Sequence, residues 1–155
     1  MNEVTRDILL RRHMEGPIAS PIVHVCIRGL VPFIQIVGLY VYFHGHYSPG
    51  GGFQGGVLMA ASIILLRMSL GLADSQAVMP SRLPIPLAAL GALIYAGTGL
   101  LALVFGGSYL DYSFLPIPGL EPAMLRNVGI LAIELGVTIC VMSTLISIYD
   151  NLLGS

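Results

Sequence analysis

The sequence predicts an all-α polytopic membrane protein with four transmembrane helices. Two observations lead there. Of its 155 residues 55% are apolar and only 10% charged, with a mean hydropathy of +0.86; a soluble domain carries about 25% charged residues to dress its surface. Four separate apolar runs also reach the roughly 20 residues that a helix needs to cross a bilayer. None of them alternates at period two, as the strands of a barrel would, so the backbone polar groups have to be satisfied inside helices.

In chain order, residues 1–20 form an N-terminal segment, "MNEVTRDILLRRHMEGPIAS". It mixes both charge signs and lacks the apolar core of a signal peptide. Val4, Ile8 and the neighbouring leucines fit a short amphipathic helix on the lipid surface, with Arg11 and Arg12 toward the headgroups; a polar tail is the alternative. Residues 21–150 make the membrane domain, and residues 151–155 a C-terminal tail. The spans are expected at about Pro21–Phe43, Phe53–Leu72, Leu83–Phe105 and Asn127–Tyr149.

The third and fourth spans carry small residues at three- and four-residue steps. On the third these are Ala88, Ala92, Ala96, Gly99, Ala102 and Gly106. On the fourth they are Gly129, Ala132, Gly136, Cys140, Ser143 and Ser147. Small residues let helix backbones approach in lipid, where packing replaces the hydrophobic drive. Such stripes serve internal packing, or packing among other membrane subunits.

All seven basic residues are arginines. Arg6, Arg11 and Arg12 precede the first span, and Arg82 lies between the second and third. The connection 44–52 has no arginine, and the connection 106–126 has only Arg126 at its edge. This distribution predicts that both termini face the cytoplasm. Arg28 and Arg67 sit within about two turns of the same side, where snorkelling accounts for them. Tyr109, Tyr112 and Phe114 of the longest connection suit an interfacial aromatic belt.

Charge and motifs exclude several function classes. A net charge of −1 offers no basic field for nucleic acid. Cys26 and Cys140 lie in separate apolar runs and read as small buried hydrophobes. No nucleophile–base pair, CxxC or pair of facing span histidines points to catalysis or haem, so no cofactor is expected. Inverted repeats or broken helices of a free-standing transporter are not visible either.

The stretch "HGHYSPGGGFQGG", residues 44–56, stands out. Gly50, Gly52 and Gly55 spell G-x-G-x-x-G, with Asp74 at about the distance of a ribose-binding acid. A dinucleotide site, however, needs a preceding strand and a βαβ unit, and membrane spans flank this loop. A phosphate-binding Walker loop would close on Lys-Ser or Lys-Thr, which is missing. His44 and His46 form a bare H-x-H, too few ligands for a tetrahedral metal site. What remains is a tight outer corner. Pro49 sets the turn, Gly50, Gly51 and Gly52 permit positive φ or close backbone approach, Phe53 follows, and Gly55 and Gly56 open the second helix with little bulk.

Together with "SPIVHVCIRGLVPFIQIVGLYVYF" before it and "VLMAASIILL" after it, this loop resembles the MnhB domain, found in multisubunit sodium/proton antiporters of the Mrp type. The shared features are the Ser-Pro-Ile-Val opening at Ser20 to Val23, the proline Pro32 inside the first span, and the loop from His44 to Phe53. The resemblance covers about residues 17–150. It implies a four-helix subunit without a redox centre, set among other membrane subunits of a large complex in the prokaryotic inner membrane. That complex exchanges sodium ions and protons. The same domain occurs in membrane-bound hydrogenases and related respiratory complexes, and the choice between the two stays open here. Neither nucleotide nor nucleic acid is implied as a partner.

Glu134, in "RNVGILAIELG", is the acid expected inside the fourth span. A charged acid there costs on the order of 2.5–3.5 kcal/mol against lipid, so it should face protein or water. Thr138, one turn on, shares its face, and the small-residue stripe lies opposite. Glu134, Thr138, His44 and His46 are therefore the candidates for bordering an ion path; a purely structural carboxyl, hydrogen-bonded to a neighbouring subunit, is the alternative for Glu134. The predicted topology has a direct check. Cysteines introduced near Ser48 should react with an impermeant maleimide from outside the cell, and those near Ser75 only after permeabilisation. Outside labelling near Ser75 would reverse the orientation.

Overall fold

The computed structural model describes residues 20–45, 50–119 and 121–153. The expected surface helix with Arg6, Arg11 and Arg12, and the loop residues His46 and Pro49, lie outside the described residues. Four long helices are present. They are α1 (Pro21–Phe43), α2 (Gly52–Leu70), α4 (Pro84–Val104) and α5 (Pro122–Leu152), with a four-residue helix α3 (Leu72–Ser75) between α2 and α4. A 3₁₀ turn at Tyr112–Phe114 interrupts the connection from α4 to α5. No strand occurs among the described residues. All four long helices are long and apolar enough to cross a membrane.

Local chemistry explains the ends. Prolines occupy the first turns of α1, α4 and α5, where the missing N–H would have no partner in the helix anyway and φ is already helical. α2 is bounded by two glycines with positive φ, Gly51 at 81° and Gly71 at 82°. The N–H of Gly71 closes the last turn on Arg67 O at 3.0 Å. α5 begins at Pro122, earlier than the expected Asn127, and continues to Leu152. Its ends were hidden because Arg126, Asp150 and Asn151 are polar but still helical. With 31 residues it is about 46 Å long, more than the roughly 30 Å of a hydrocarbon core.

The helices form a row, not a closed bundle. α1 packs on α2, α2 on α5, and α5 on α4, so the last helix lies between the second and the fourth. In a row most of each span stays uncovered. Only 17% of the membrane-crossing window of α1 and 22% of that of α4 is buried within the chain, which leaves apolar faces for lipid or for other membrane proteins.

Two kinds of contact hold the row. Toward the end that carries the glycine loop, helices meet backbone to backbone. A Cβ on Gly91 of α4 would lie 2.5 Å from Gly136 O of α5, and one on Gly136 would lie 2.8 Å from Gly91 O. On α5 the buried residues Gly129, Gly136, Ser143 and Asp150 recur at every seventh position; the first three belong to the expected stripe, whose Ala132, Cys140 and Ser147 are partly buried. The stripe expected on α4 holds less well. Ala92 and Gly106 are exposed, and Gly99 packs on the Tyr109 ring. Gly99 and Ala102 of that stripe are buried, together with Pro84, Gly91 and Thr98, seven apart, and Gly91, outside the expected stripe, meets the α5 backbone directly.

Toward the opposite end, side chains fill the seam. Ala60 and Ile63 of α2, Ile146 of α5 and Met79 of the α3–α4 connection are buried together, flanked by Ile64, Leu66, Leu87, Met142 and Leu145. Beneath them lies the principal correction to the sequence reading. Arg67 does not snorkel: it is 1% exposed and pairs with Asp150 of α5, also buried, at 2.9 Å. Its guanidinium donates to Met79 O at 3.1 Å and to Ser81 Oγ at 3.4 Å. The Arg67 position was read correctly but its partner was missed, because Asp150 stands at the far end of the chain. Arg28, in contrast, is exposed as snorkelling requires.

Arg67 thus ties α2, α5 and the 71–83 connection together. Arg67→Ala leaves Asp150 buried without its countercharge and should cost about 3–5 kcal/mol, seen as a lower unfolding temperature of the detergent-solubilised protein. Replacing both partners, Arg67→Met with Asp150→Leu, should recover most of the loss. A double variant as unstable as the single one would assign the stability to the Met79 and Ser81 contacts instead.

Candidate functional site

The glycine loop and Glu134 are 78 or more residues apart in sequence, yet they form one site. α5 carries Glu134 and Thr138 on the face turned to α2, and α2 starts with glycines at that point. The fit is tight at the backbone. A side chain at Gly52 would overlap the backbone of Glu134, and one at Gly56 would come within 2.8 Å of Thr138 O. Hypothetical Cβ atoms on Gly45 and Gly51 would lie 2.7 and 2.9 Å from Glu134 Oε1. The carboxyl therefore rests on a floor of glycine backbone. On the far side of α2, Gly55 faces Gly38 O of α1 at 3.1 Å from its would-be Cβ.

The three glycines of the loop are constrained for different reasons. Gly51 has φ 81° and ψ −157°, a backbone conformation that L side chains rarely adopt. Gly50 and Gly52 have no positive φ. Gly50 is limited by Val41 Cγ1, 2.9 Å from its would-be Cβ, and Gly52 by Glu134. Both roles expected of these glycines are thus present, positive φ at Gly51 and close approach at Gly50 and Gly52. Phe53 is 62% exposed, so its ring points away from the corner.

Two hydroxyls lock the site. Thr138 Oγ1 donates to Gly52 O at 3.0 Å and to Glu134 O at 2.8 Å, which fixes the start of α2 against α5. The phenol of Tyr42, on the last turn of α1, donates to Leu131 O at 3.1 Å, one turn before Glu134. Sequence reading missed Tyr42. Its only signal was a polar-tipped aromatic one turn before the loop, in a span that also carries Tyr40 and Phe43. His44 turns elsewhere, with its ring stacked on Tyr40 at 4.0 Å and its Nδ1 bonded to Tyr40 O at 2.9 Å.

Glu134 itself is half-buried. Its Oε2 is fully buried and has no hydrogen-bond partner among the described residues. No three His, Cys, Asp or Glu side chains converge among the described residues, so the donors at hand are one carboxyl, hydroxyls and backbone carbonyls. Such a set is hard and oxygen-based, suited to protons and hard cations rather than to thiophilic metals.

The outer connection completes this end. The Tyr112 ring lies on Gly129, and Asp111 accepts from the amide of Ser113 at 3.2 Å and from its hydroxyl. Those two bonds hold the Asp111 carboxyl below its ordinary range. Burial beside Tyr95 and Tyr109 pushes the Tyr112 phenol up.

Residues 22–147 match the family described as a domain related to the MnhB subunit of Na+/H+ antiporter. The chain belongs to the MnhB family. Among its relatives, a protein of Bacillus subtilis (strain 168) named as the B subunit of a Na(+)/H(+) antiporter is 33% identical over 124 residues, 75% of this chain and 86% of that protein. A protein of Staphylococcus aureus (strain Newman), provisionally named antiporter subunit mnhB2, is 34% identical over 124 residues, 75% of this chain and 87% of its own length. The MnhB match spans all four membrane helices and the glycine loop, so the loop–Glu134 corner lies wholly inside the family domain.

Glycine substitutions at this corner should separate by geometry. Gly52→Ala places a methyl into the Glu134 backbone and should abolish assembly of the complex, read on native gels. Gly51→Ala should be milder, with a strain of about 1–2 kcal/mol from its left-handed backbone. Gly97→Ala, with nothing within 4 Å of its would-be Cβ, should assemble normally. Normal assembly of Gly52→Ala would show that α2 and α5 do not meet this closely.

Proposed function

We propose that this MnhB-family chain is the B-type subunit of a multisubunit sodium/proton antiporter of a prokaryotic cytoplasmic membrane. In this reading Glu134 borders an ion path formed with a neighbouring subunit. The observation that carries it is the placement of Glu134. A membrane-depth carboxyl costs free energy that packing alone does not require, and here it is built into the one corner where α1, α2 and α5 converge through Tyr42, the glycine loop and Thr138. The relatives named as antiporter subunits favour this over a hydrogenase-type complex. The chain itself would catalyse no bond chemistry, and its partners are other membrane subunits, lipid, sodium ions and protons.

The row architecture supports a path beside the subunit over one through it. From Glu134 to Asp150 α5 runs sixteen residues, about 24 Å. Between those two polar ends the α2–α5 seam is filled mainly by Ala60, Ile63 and Ile146, with the buried hydroxyl of Ser143 on α5 among them. A hydrated ion has no lane there, because desolvating it among aliphatic side chains is prohibitive. An ion reaching Glu134 must leave sideways, across one of the uncovered faces. Arg67 and Arg82 lie at the opposite end, which the positive-inside rule places in the cytoplasm, and Glu134 is then in the outer half of the membrane.

Glu134→Gln keeps the shape of the side chain but cannot ionise. In inverted vesicles this variant should assemble to normal amounts and lose at least about tenfold in the rate of sodium-driven pH change, since a general proton-transfer group contributes on the order of 10²–10⁴. Normal assembly with a normal exchange rate would remove Glu134 from the path.

A further inference from the structure

The outward face of α1 carries more than contact with lipid requires. Ile22, Val25, Cys26, Gly29, Phe33 and Ile36 recur at three- and four-residue steps, and all are exposed. α1 turns its buried residues Ile27, Val31, Gly38 and Tyr42 the other way, toward the rest of the chain. Gly29 is the odd member of the outward set. A Cβ built there would meet nothing within 4 Å, so no packing within the chain demands a glycine, and inside a helix glycine is less favourable than alanine. Its effect is a notch in an otherwise bulky apolar face, and such a notch lets a second helix backbone come close in lipid.

Two polar groups lie beside the notch. Arg28 is exposed, and no carboxylate among the described residues is within ion-pair distance of it; the one ion pair there joins Arg67 to Asp150. Pro32, one turn on, lies inside the helix and has no N–H, so the Arg28 carbonyl lacks the bond that the helix would otherwise give it. Arg28 and Pro32 are both exposed, which puts the missing bond on the uncovered side of α1. No side chain or loop amide among the described residues donates to that oxygen. Lipid serves one of these groups and not the other. From Pro21 to Arg28 the helix rises about 10 Å, and α1 with its 23 residues is only slightly longer than the hydrocarbon core is thick. The guanidinium, whose Cβ leans toward the helix N-terminus, can snorkel back to a headgroup phosphate. The carbonyl points the other way, deeper into the core, where acyl chains offer no donor.

We infer that the outward face of α1 around Gly29 is the docking surface for a transmembrane helix of another subunit. That helix packs into the Gly29 notch and brings an Asp or Glu carboxylate to the Arg28 guanidinium. About one turn deeper it carries a hydroxyl or amide N–H that donates to the Arg28 carbonyl. The inference rests on the reading of this chain as one subunit of a larger membrane complex, and it says where on the chain a partner binds and with what chemistry. α1 stands at the end of the row and packs mainly on α2, so a helix docked here extends the row without displacing any contact within the chain.

Gly29→Leu fills the notch without touching anything else in the chain. In membranes that hold every subunit it should lower recovery of the complex on native gels at least about tenfold, since close helix approach carries the association. Arg28→Gln should lower recovery as well, and Arg28→Lys, which keeps the charge, should lower it less. A benzophenone photocrosslinker in place of Phe33, which is 62% exposed on the same face, locates the partner in the purified complex. Mass spectrometry should place the crosslink on a membrane-spanning segment of another subunit, with an Asp or Glu within about two turns. Arg28→Asp should then disrupt assembly, and changing that acid to arginine in the same background should restore it. Normal assembly of Gly29→Leu would overturn the docking face. So would crosslinks confined to lipid or to residues 1–19 of this chain, or a charge exchange that restores nothing. The two readings fail separately. A wild-type chain that extracts from the membrane with no other subunit removes the subunit reading and this face with it. A wild-type chain that extracts with other subunits, beside a Gly29→Leu chain that does the same, removes only this face.

Discussion

The close approach of α5 to both of its neighbours is the constraint on which the rest of this structure depends. In lipid, helices gain nothing from hiding apolar surface, so association rests on packing density and on polar contacts. α5 meets α4 where Gly136 faces Gly91, and it meets α2 where Glu134 and Thr138 face Gly52 and Gly56. A single Cβ at any of these glycines would force the helices apart. The order of the row follows, since α2 and α5 each have two faces that accept a neighbour at backbone distance, α2 through Gly55 toward α1 and through Gly52 and Gly56 toward α5. On α5 the heptad of small residues turns one way, and Glu134 with Thr138 turns the other.

The ionisable side chains of the α2–α5 seam are placed by this arrangement at its two ends, while the stretch between holds aliphatic side chains and, on α2 and α5, the buried hydroxyls of Ser62 and Ser143. At one end Arg67 and Asp150 neutralise each other and fasten the 71–83 connection. At the other, Glu134 has a glycine floor and two hydroxyl-bearing neighbours but no countercharge among the described residues. The contrast is informative. A buried carboxylate held by a guanidinium at 2.9 Å is a structural clamp, whereas Glu134 has no such countercharge among the described residues. The two acids of α5 thus have opposite characters, and burial alone would not distinguish them.

The glycine loop gains its meaning from the same packing. Its resemblance to a nucleotide-binding fingerprint comes from a shared physical need, namely backbone brought close to something that a side chain would displace. In a nucleotide site that object is a pyrophosphate. Here it is the backbone and carboxyl of another helix. Gly51 supplies the left-handed turn, Gly52 and Gly56 the close approach to α5, and Gly55 the approach to α1, so one short segment sets the spacing of three helices.

Composition and run length by themselves determined the membrane class, the four spans and most of their ends, because the requirement to satisfy backbone inside about 20 apolar residues is local. The loop motif determined the MnhB family, and Glu134 stood out because an acid in a span is conspicuous one residue at a time. Tertiary structure alone decided which residues meet. That Arg67 is buried on Asp150, that Gly91 of α4 meets Gly136 of α5, that Tyr42 joins the site, and that the loop and Glu134 are one corner all depend on contacts between helices. A periodic pattern shows which face of a helix is small or polar, but not which neighbour covers it. Nothing in a single span records that the last helix inserts between the second and the fourth.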